Sequence, residues 1–333
     1  MILVTGGTGL VGSHLLYRLT LKNDSIKAIY RTTEKKEYVK KIFSFYTDNI
    51  EQLFSKIIWI QADITDIPSL ENVFKNITEV YHCAALVSFN PKYYDKMRQV
   101  NIDGTANIVN FSIENSIKKL CFVSSIAAVG ETVNAKPITE KNEWSDNGDS
   151  SGYAITKYGA EMEVWRGSQE GLNVIIVNPG VILGSGFWNE GSGELFTQIN
   201  NGLKFYTNGI TGFVGVQDVV RAMILLMQSN IKNERFILVA ENKSFKEILV
   251  AIADSLHKKR PFIKVTKIIT SIVWRLSFLI SIITKKKPLL TKNSAKASHN
   301  ISYYSSSKIE TKINFTFKVI KNQINEISKN FIR

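Results

Sequence analysis

Two tyrosines in the chain stand four residues before a lysine, in Tyr153-Ala-Ile-Thr-Lys157 and Tyr304-Ser-Ser-Ser-Lys308. On a helix this spacing puts phenol and ammonium on one face. A positive charge nearby lowers a phenol pKa from its usual value of about 10, so the phenol can exchange a proton with a reacting oxygen closer to neutral pH. Spacing alone is weak evidence: with 12 Tyr and about one residue in ten a Lys, about one such pair arises by chance. Context separates the two copies. Tyr153 precedes a helical pattern over 154–169, and Ser124-Ser125 ends an apolar run over 120–124 that reads as a strand. A serine hydroxyl at a strand's C-terminal end can hydrogen-bond a carbonyl or alkoxide. Tyr304 lies in a Ser-rich segment with neither a helical pattern nor a strand feeding it. Ser125, Tyr153 and Lys157 are therefore the candidate proton-transfer set, and the copy at Tyr304 is rejected.

The second candidate chemistry is phosphate binding. Thr5-Gly6-Gly7-Thr8-Gly9-Leu10-Val11-Gly12 follows a strand-like run, Ile2–Thr5, and opens a helical pattern over 11–21. Gly6 permits the tight turn, Gly9 a close approach by a pyrophosphate, and Gly12 the packing of helix on strand. The helix N-terminus then turns free N–H groups and a favourable dipole toward the phosphates. The spacing is Gly-x-x-Gly-x-x-Gly rather than Gly-x-Gly-x-x-Gly, and its place between first strand and first helix gives it weight. After the next run, Ile26–Tyr30, an NAD site would carry an acid for the ribose hydroxyls. The chain instead has Arg31-Thr32-Thr33, with no acid before Glu34. A guanidinium can bind a 2′-phosphate that a carboxylate would repel. NADP is the preferred dinucleotide, and NAD stays open.

The elements that must position these groups follow from periodicity. Apolar runs over Ile2–Thr5, Ile26–Tyr30, Ile57–Gln61, 80–83, 120–124 and 174–177 read as strands, with helical patterns between them, including 94–115. Such alternation predicts an α/β chain with a doubly wound parallel sheet covered on both faces. After Gly180 the pattern becomes glycine-punctuated and irregular, followed by a helix over 216–227 and a strand over 236–239. Residues 1–178 and 213–239 are expected to form the nucleotide-binding domain, and 179–212 with 240–333 a smaller C-terminal substrate-binding region.

Charge is divided unevenly. Residues 1–257 carry 25 Lys and Arg against 27 Asp and Glu; residues 258–333 carry 17 against 2. The basic quarter suggests an anionic surface or a solvated lysine face. Within it, 268–284 is strongly apolar, flanked by Lys285-Lys-Lys287 and interrupted by Arg275. About 20 residues are needed to span a bilayer, so this segment reads as a helix covering the active site or lying on a membrane surface. Cys83 and Cys121 read as buried free thiols of a reducing compartment. The start, Met1-Ile-Leu-Val-Thr5, lacks a basic leader and gives the expectation of a cytoplasmic protein. No metal site is expected.

Together these residues resemble an extended short-chain dehydrogenase/reductase. The likeness rests on Thr5–Gly12, Asp63-Ile64, His82-Cys-Ala-Ala85, Val100-Asn101, Ser124-Ser125, Tyr153-x-x-x-Lys157, Asn178-Pro179-Gly180 and Val216-x-Asp218-Val219, in the family's order over roughly residues 1–225. It implies a Rossmann-type fold. It also implies that Thr5, Gly6, Gly9, Leu10, Val11 and Gly12 hold the pyrophosphate, and that Asp63 accepts from the adenine beside the Ile64 backbone. Ala84 and Ala85 would leave room for the cofactor, and Pro179 would flank the nicotinamide. Asn101 would order the active-site helix and a relay water, Ser125 hold the substrate oxygen, Tyr153 transfer the proton, and Lys157 bind the nicotinamide ribose. His82 reads as a core histidine. Within the family the chain resembles the dihydroflavonol-reductase and hydroxysteroid-dehydrogenase-like branch, through Arg31, Ile138-Thr-Glu140, Trp144 and Asn178-Pro-Gly-Val-Ile-Leu-Gly184, with Gly215 where that branch commonly has Asp.

The resemblance implies an NADPH-dependent reductase or dehydrogenase interconverting a carbonyl and an alcohol. The alternatives are a nucleotide-sugar epimerase or dehydratase, which commonly has an Arg that is missing here between Asn178 and Val220, and a non-catalytic NADP-binding sensor. The expected partner is a small carbonyl or alcohol; nucleic acid is not expected. Peripheral membrane contact through 258–287 and a homodimer stay open. Substrate identity is not written in any motif.

Overall fold

The short apolar runs become strands because β-branched and aromatic residues fill both faces of a covered sheet. A computed structural model describes residues 1–131, 136–145, 150–284 and 290–332. In chain order the strands are β1 (Ile2–Thr5), β2 (Ile26–Tyr30), β3 (Ile57–Gln61), β4 (Glu79–His82), β5 (Lys119–Val123), β6 (Val174–Pro179), β7 (Val181–Leu183), β8 (Phe205–Tyr206), β9 (Ile210–Gly215), β10 (Glu234–Leu238), β11 (Glu241–Ser244) and β12 (Ile263–Lys264). The main sheet has the order β10-β6-β5-β4-β1-β2-β3, with every pairing parallel. It is the doubly wound, Rossmann-type sheet expected. The chain reverses its direction of travel between β1 and β4, so their C-terminal ends, paired at Thr5 and His82, open a crevice where such sheets bind ligands.

β5 and β6 are buried along their whole length. Both β4 and β5 begin one residue before their apolar runs, because Glu79 pairs with Lys119 and with Ile2 in the ladder. Lys119 is tolerated inside because its Nζ donates to the Leu226 and Ser229 carbonyls at 2.7 and 2.8 Å, where the helix Val216–Gln228 ends. Lys27 of β2 likewise donates to the Val73 and Lys75 carbonyls. Burial lowers the pKa of both lysines.

The helical pattern over 94–115 is not one regular helix. Tyr94–Met97 and Gly104–Glu114 are α-helical, and Arg98–Asp103 between them is π-helical, with Asn101 inside that wide turn. A single widened turn is rare, and a helical pattern by itself does not announce it.

Beyond β6 the chain builds a smaller layer. Its sheet has the order β11-β9-β7, and β8 pairs with β12. β9 straddles the 212/213 boundary proposed between domains. Leu183, Phe196, Ile248, Ile252, Ile320 and Ile324 share one apolar cluster, which joins the helices Phe245–Ser255 and Ile320–Ile332 to this layer. Asp218 ties the last segment to the main domain: it accepts from the Lys318 amide at 2.8 Å and from Gln323 Nε2 at 3.1 Å. A Cβ on Gly215 would collide with the Gln323 side chain, so the glycine makes room for that tie.

Two expectations about the C-terminal quarter change. The apolar segment forms the helix Lys267–Thr284, but it turns Thr270 and Ser277 inward while Ile268, Ile272, Leu276 and Leu279 face out. Lys285-Lys-Lys287 lies outside the described residues. The segment around Tyr304 does pack on the main sheet, against a cluster that includes Ile126, Ile138 and Ile237. Lys308 opens a short helix, Ser307–Lys312, where it pairs with Glu234 at 3.0 Å and donates to the Arg235 carbonyl at 2.8 Å. Burial pushes the Tyr304 phenol up to about 12. This copy of the motif is structural.

Candidate active site

β1 delivers the glycine loop to the crevice. Gly6 adopts a left-handed backbone, φ 66°, and a Cβ there would lie 2.5 Å from the Ala84 amide nitrogen. The loop thus sits directly on the segment that follows β4. A Cβ on Gly12 would strike the Gly6 carbonyl, so the first helix, Leu10–Thr20, can pack this closely only with glycine there. Gly9 differs: an added Cβ would make one ordinary contact, 3.5 Å from the Gly6 oxygen. Nothing in the chain itself demands glycine at position 9. Gly9 is the N-cap, with no side-chain cap bond, and Leu10 and Val11 form the first turn, half-buried. These residues fit the phosphates of a dinucleotide.

Behind the loop, Thr5 Oγ1 and His82 Nδ1 are hydrogen-bonded at 2.6 Å, and His82 Nε2 reaches Thr105 Oγ1 at 2.9 Å. Burial pushes the His82 pKa down to about 3, so it is a neutral, satisfied core residue. On the other flank Asp63 is half-buried and accepts from the Thr65 amide and hydroxyl at 2.9 and 2.8 Å. Burial alone would raise its pKa; the Thr65 bonds, with Arg31 and Lys96 nearby, bring it below the ordinary value. Ile64 is buried beside it, and its carbonyl accepts from Asn107. Arg31 follows β2, exposed, with its carbonyl held by Gln61 Nε2. Ala84 is half-buried and Ala85 exposed. Pro179 ends β6, buried and paired with Leu238.

β5 and the helix Gly152–Gln169 bring the candidate proton-transfer groups together. Ser125 leaves β5 extended, accepts from the Ala127 amide at 3.1 Å, and lies near enough to the Tyr153 phenol to draw its pKa down. Ser151 caps the helix through the Ala154 amide, and Tyr153 lies in its first turn. Asn101 is buried: its Oδ1 accepts from the Leu86 amide at 2.7 Å, and its Nδ2 donates to the Leu86 carbonyl and to Thr156 Oγ1. It fixes both the segment after β4 and the tyrosine helix.

One expectation about Lys157 is corrected. Its Nζ donates to the Val123 carbonyl at 2.7 Å and lies 4.5 Å over the Phe122 ring. Burial lowers its pKa to about 8, against the opposing pull of Glu161 and Cys83. The Tyr153 pKa is raised, not lowered: burial dominates, and only the Ser125 hydroxyl pulls the other way. The strand carbonyl, rather than the phenol, receives the ammonium.

Sequence reading missed the carboxylate beneath this set. Glu161 is fully buried one turn past Lys157. It accepts from Ser124 Oγ at 2.7 Å, Asn178 Nδ2 at 2.9 Å and Arg235 Nη1 at 3.0 Å. Asn178 also donates to the Ser125 carbonyl, and Arg235 to the carbonyls of Glu140 and Asn142. The available signal was an acid on the buried stripe Lys157, Ala160, Glu161, Val164. Its partner, 74 residues away, left no local mark.

Next to the start of the tyrosine helix is a cavity of about 200 Å³ lined by Phe89, Pro91, Tyr94, Met97, Gly152 and Ile155 among others, though not by Tyr153 or Ser125 themselves. The Phe89 ring stands edge-on to Tyr153, with centroids 5.9 Å apart. Among the described residues, none of the lining comes from Lys267–Thr284.

Glu161→Ala should cost about 3–5 kcal/mol in a urea unfolding experiment, because it strands the Arg235 charge; a cost under about 1 kcal/mol would remove the network from the account. Lys157 sets a pH dependence. Its folded-state pKa, about 8, lies below the ordinary 10.5, so between these values the unfolded chain holds the extra proton. Stability from this group therefore rises with pH, by up to about 1.4 kcal/mol per unit. From about pH 8 to 10, wild type should gain stability relative to Lys157→Met; parallel curves would contradict the assignment.

The NAD dependent epimerase/dehydratase family model matches residues 2–240. Cinnamoyl-CoA reductase 2 of Medicago truncatula is 26% identical over 248 residues, 71% of this chain and 70% of that protein. Sterol demethylase protein B of Methylococcus capsulatus is 25% identical over 263 residues, 78% of this chain and 75% of that protein. Among solved structures, UDP-glucose 4-epimerase of Thermotoga maritima superposes with a TM-score of 0.77 at 20% identity, covering 99% of this chain and 98% of that one. That likeness shows the fold. With reductase relatives of the dihydroflavonol and cinnamoyl-CoA kind, the chain belongs to the NAD-dependent epimerase/dehydratase family, on its extended short-chain dehydrogenase/reductase side, and its chemistry is NAD(P)-dependent oxidoreduction.

Proposed function

We propose that the protein is an NADPH-dependent reductase that interconverts a carbonyl and an alcohol. The observation that carries this is the placement of the Ser125 hydroxyl near enough to the Tyr153 phenol to pull its pKa down, beside a glycine loop fit for a dinucleotide. When bound, the nicotinamide supplies or accepts the hydride. Ser125 holds the substrate oxygen, and Tyr153 gives it a proton as the alcohol forms. A phenol is protonated at neutral pH and burial raises its pKa further, which suits donation in the direction of reduction. Lys157, on the tyrosine helix with its ammonium at the end of β5, binds the nicotinamide ribose. Asn101 holds the tyrosine helix in register, and Pro179 flanks the nicotinamide. Asp63 and the Ile64 backbone take the adenine end, and Ala84 and Ala85 leave room for the cofactor beside β4.

Arg31 supports NADPH over NADH. It lies close enough to Asp63 to help lower that carboxyl's pKa, so a cation stands on the adenosine side of the crevice. The apolar lining of the cavity, joined to Tyr153 through the Phe89 ring, supports an apolar carbonyl substrate. Residues 179–212 and 240–333 would supply the substrate-binding region. An epimerase reading gains nothing from the site: Arg221, just past the arginine-free stretch, is bound to Asp218 and the Thr316 carbonyl and lies over the Phe315 ring.

Tyr153→Phe should lower carbonyl turnover by about 10²–10⁴ while leaving NADPH affinity unchanged in a fluorescence titration. Ordinary turnover in that variant would end the assignment. Arg31→Ala should weaken NADPH about 10–100-fold, the worth of one or two charged hydrogen bonds, and leave NADH binding nearly unchanged. An equal loss for both nucleotides would contradict the NADP preference.

A further inference from the structure

The helix Lys267–Thr284 is apolar on the side that faces away from the protein. Toward the protein it turns Thr270 and Ser277. Thr270 Oγ1 bonds His299 Nε2 at 3.0 Å, and Ser277 Oγ accepts from the Leu290 amide at 3.2 Å. Ile268, Ile272, Leu276 and Leu279 are each more than half exposed, Ile268 at 74%. The patch continues off the helix: Phe262 is 68% exposed, and Ile263 pairs in β12 with the exposed Phe205 of β8. A surface helix of a soluble protein has the reverse arrangement, with its apolar stripe inward.

The helix does not cross a bilayer. No helix among the described residues is long and apolar enough to do so, and 18 residues rise only about 27 Å. Its charges identify what covers it. Between Asp254 and Glu310 the sequence has no Asp or Glu and 12 Lys and Arg. Lys258, Lys259, Lys264, Lys267 and Arg275 are exposed, and Arg275 lies over the Trp274 ring at 4.7 Å. A second copy of the chain would bring the same uniformly basic segment to the same face and repel it. An anionic lipid surface offers both acyl chains for the isoleucines and phosphates for the lysines.

We infer that Lys267–Thr284, with Phe262 and Ile263, docks the protein on an anionic bilayer surface, its axis lying in the headgroup layer. The following helix, Lys292–Ala297, packs against it and contributes Asn293 to the cavity at the start of the tyrosine helix. The docked helix is therefore one helix removed from the cavity. The inference rests on this surface and not on the chemistry assigned to Tyr153.

The test is flotation of the full chain with phosphatidylcholine vesicles, with and without roughly one-third phosphatidylglycerol. The protein should float with the anionic vesicles at low salt, float poorly with the neutral ones, and lose most binding in about 0.5 M salt. Ile272→Glu with Leu276→Glu should reduce the bound fraction about tenfold or more, with an unchanged thermal midpoint and unchanged NADPH affinity. Absence of flotation with anionic vesicles at low salt would overturn the inference. So would equal binding to neutral vesicles, or a concentration-dependent dimer that the double variant dissolves while wild type ignores vesicles.

Discussion

The buried carboxylate of Glu161 is the point at which the working edge of the sheet is tied together. It sits on the tyrosine helix and takes hydrogen bonds from Ser124 at the end of β5, Asn178 near the end of β6 and Arg235 in β10. Each partner is one residue from, or on the same element as, a group that the proposed chemistry needs: Ser125, Pro179 and the strand that pairs with it. A buried carboxylate is tolerated only when its charge is paired and its lone pairs are used, and here four donors from three strands and one helix are drawn to it, counting the Trp165 indole at 3.4 Å. Such a group contributes little net stability over an apolar replacement. It ties the ends of β5, β6 and β10 to the tyrosine helix through one group.

Around that point the parallel topology does the assembling. With every strand of the main sheet running the same way, all C-terminal ends fall on one edge. The glycine loop after β1, the Ala84 segment after β4, Ser125 after β5 and Pro179 closing β6 therefore meet without any long-range design of loops. The opposite edge carries the lysines of the strands, Lys27 and Lys119, whose ammonium groups finish the carbonyls of turns and helix ends. The asymmetry leaves the upper edge for ligand and uses the lower one for stability.

The contiguous parts of this arrangement were legible in the sequence. The glycine loop, the tyrosine pair and strands such as Ile26–Tyr30 and Ile57–Gln61 are local patterns, and local patterns survive folding. What was not legible is relational. Lys157 stands one turn from Tyr153, yet its ammonium turns to the Val123 carbonyl, a choice set by the strand beside it. The π-helical turn that seats Asn101 inserts a residue without disturbing composition. The direction in which Lys267–Thr284 faces cannot be read from its own residues, since both Thr270 and Ile268 are compatible with either side until the neighbouring helix is placed. Glu161 and Arg235 find each other only through the sheet.

The most direct test of the central claim is hydride accounting with NADPH deuterated at the transferring position of the nicotinamide, supplied in stoichiometric amount with an apolar aldehyde or ketone. The account predicts one deuterium on the product carbinol carbon for each NADP released, with the oxidised cofactor leaving the protein. Retention of the cofactor through many turnovers, with no label in the product, would contradict a reductase and return the chain to cofactor-recycling chemistry.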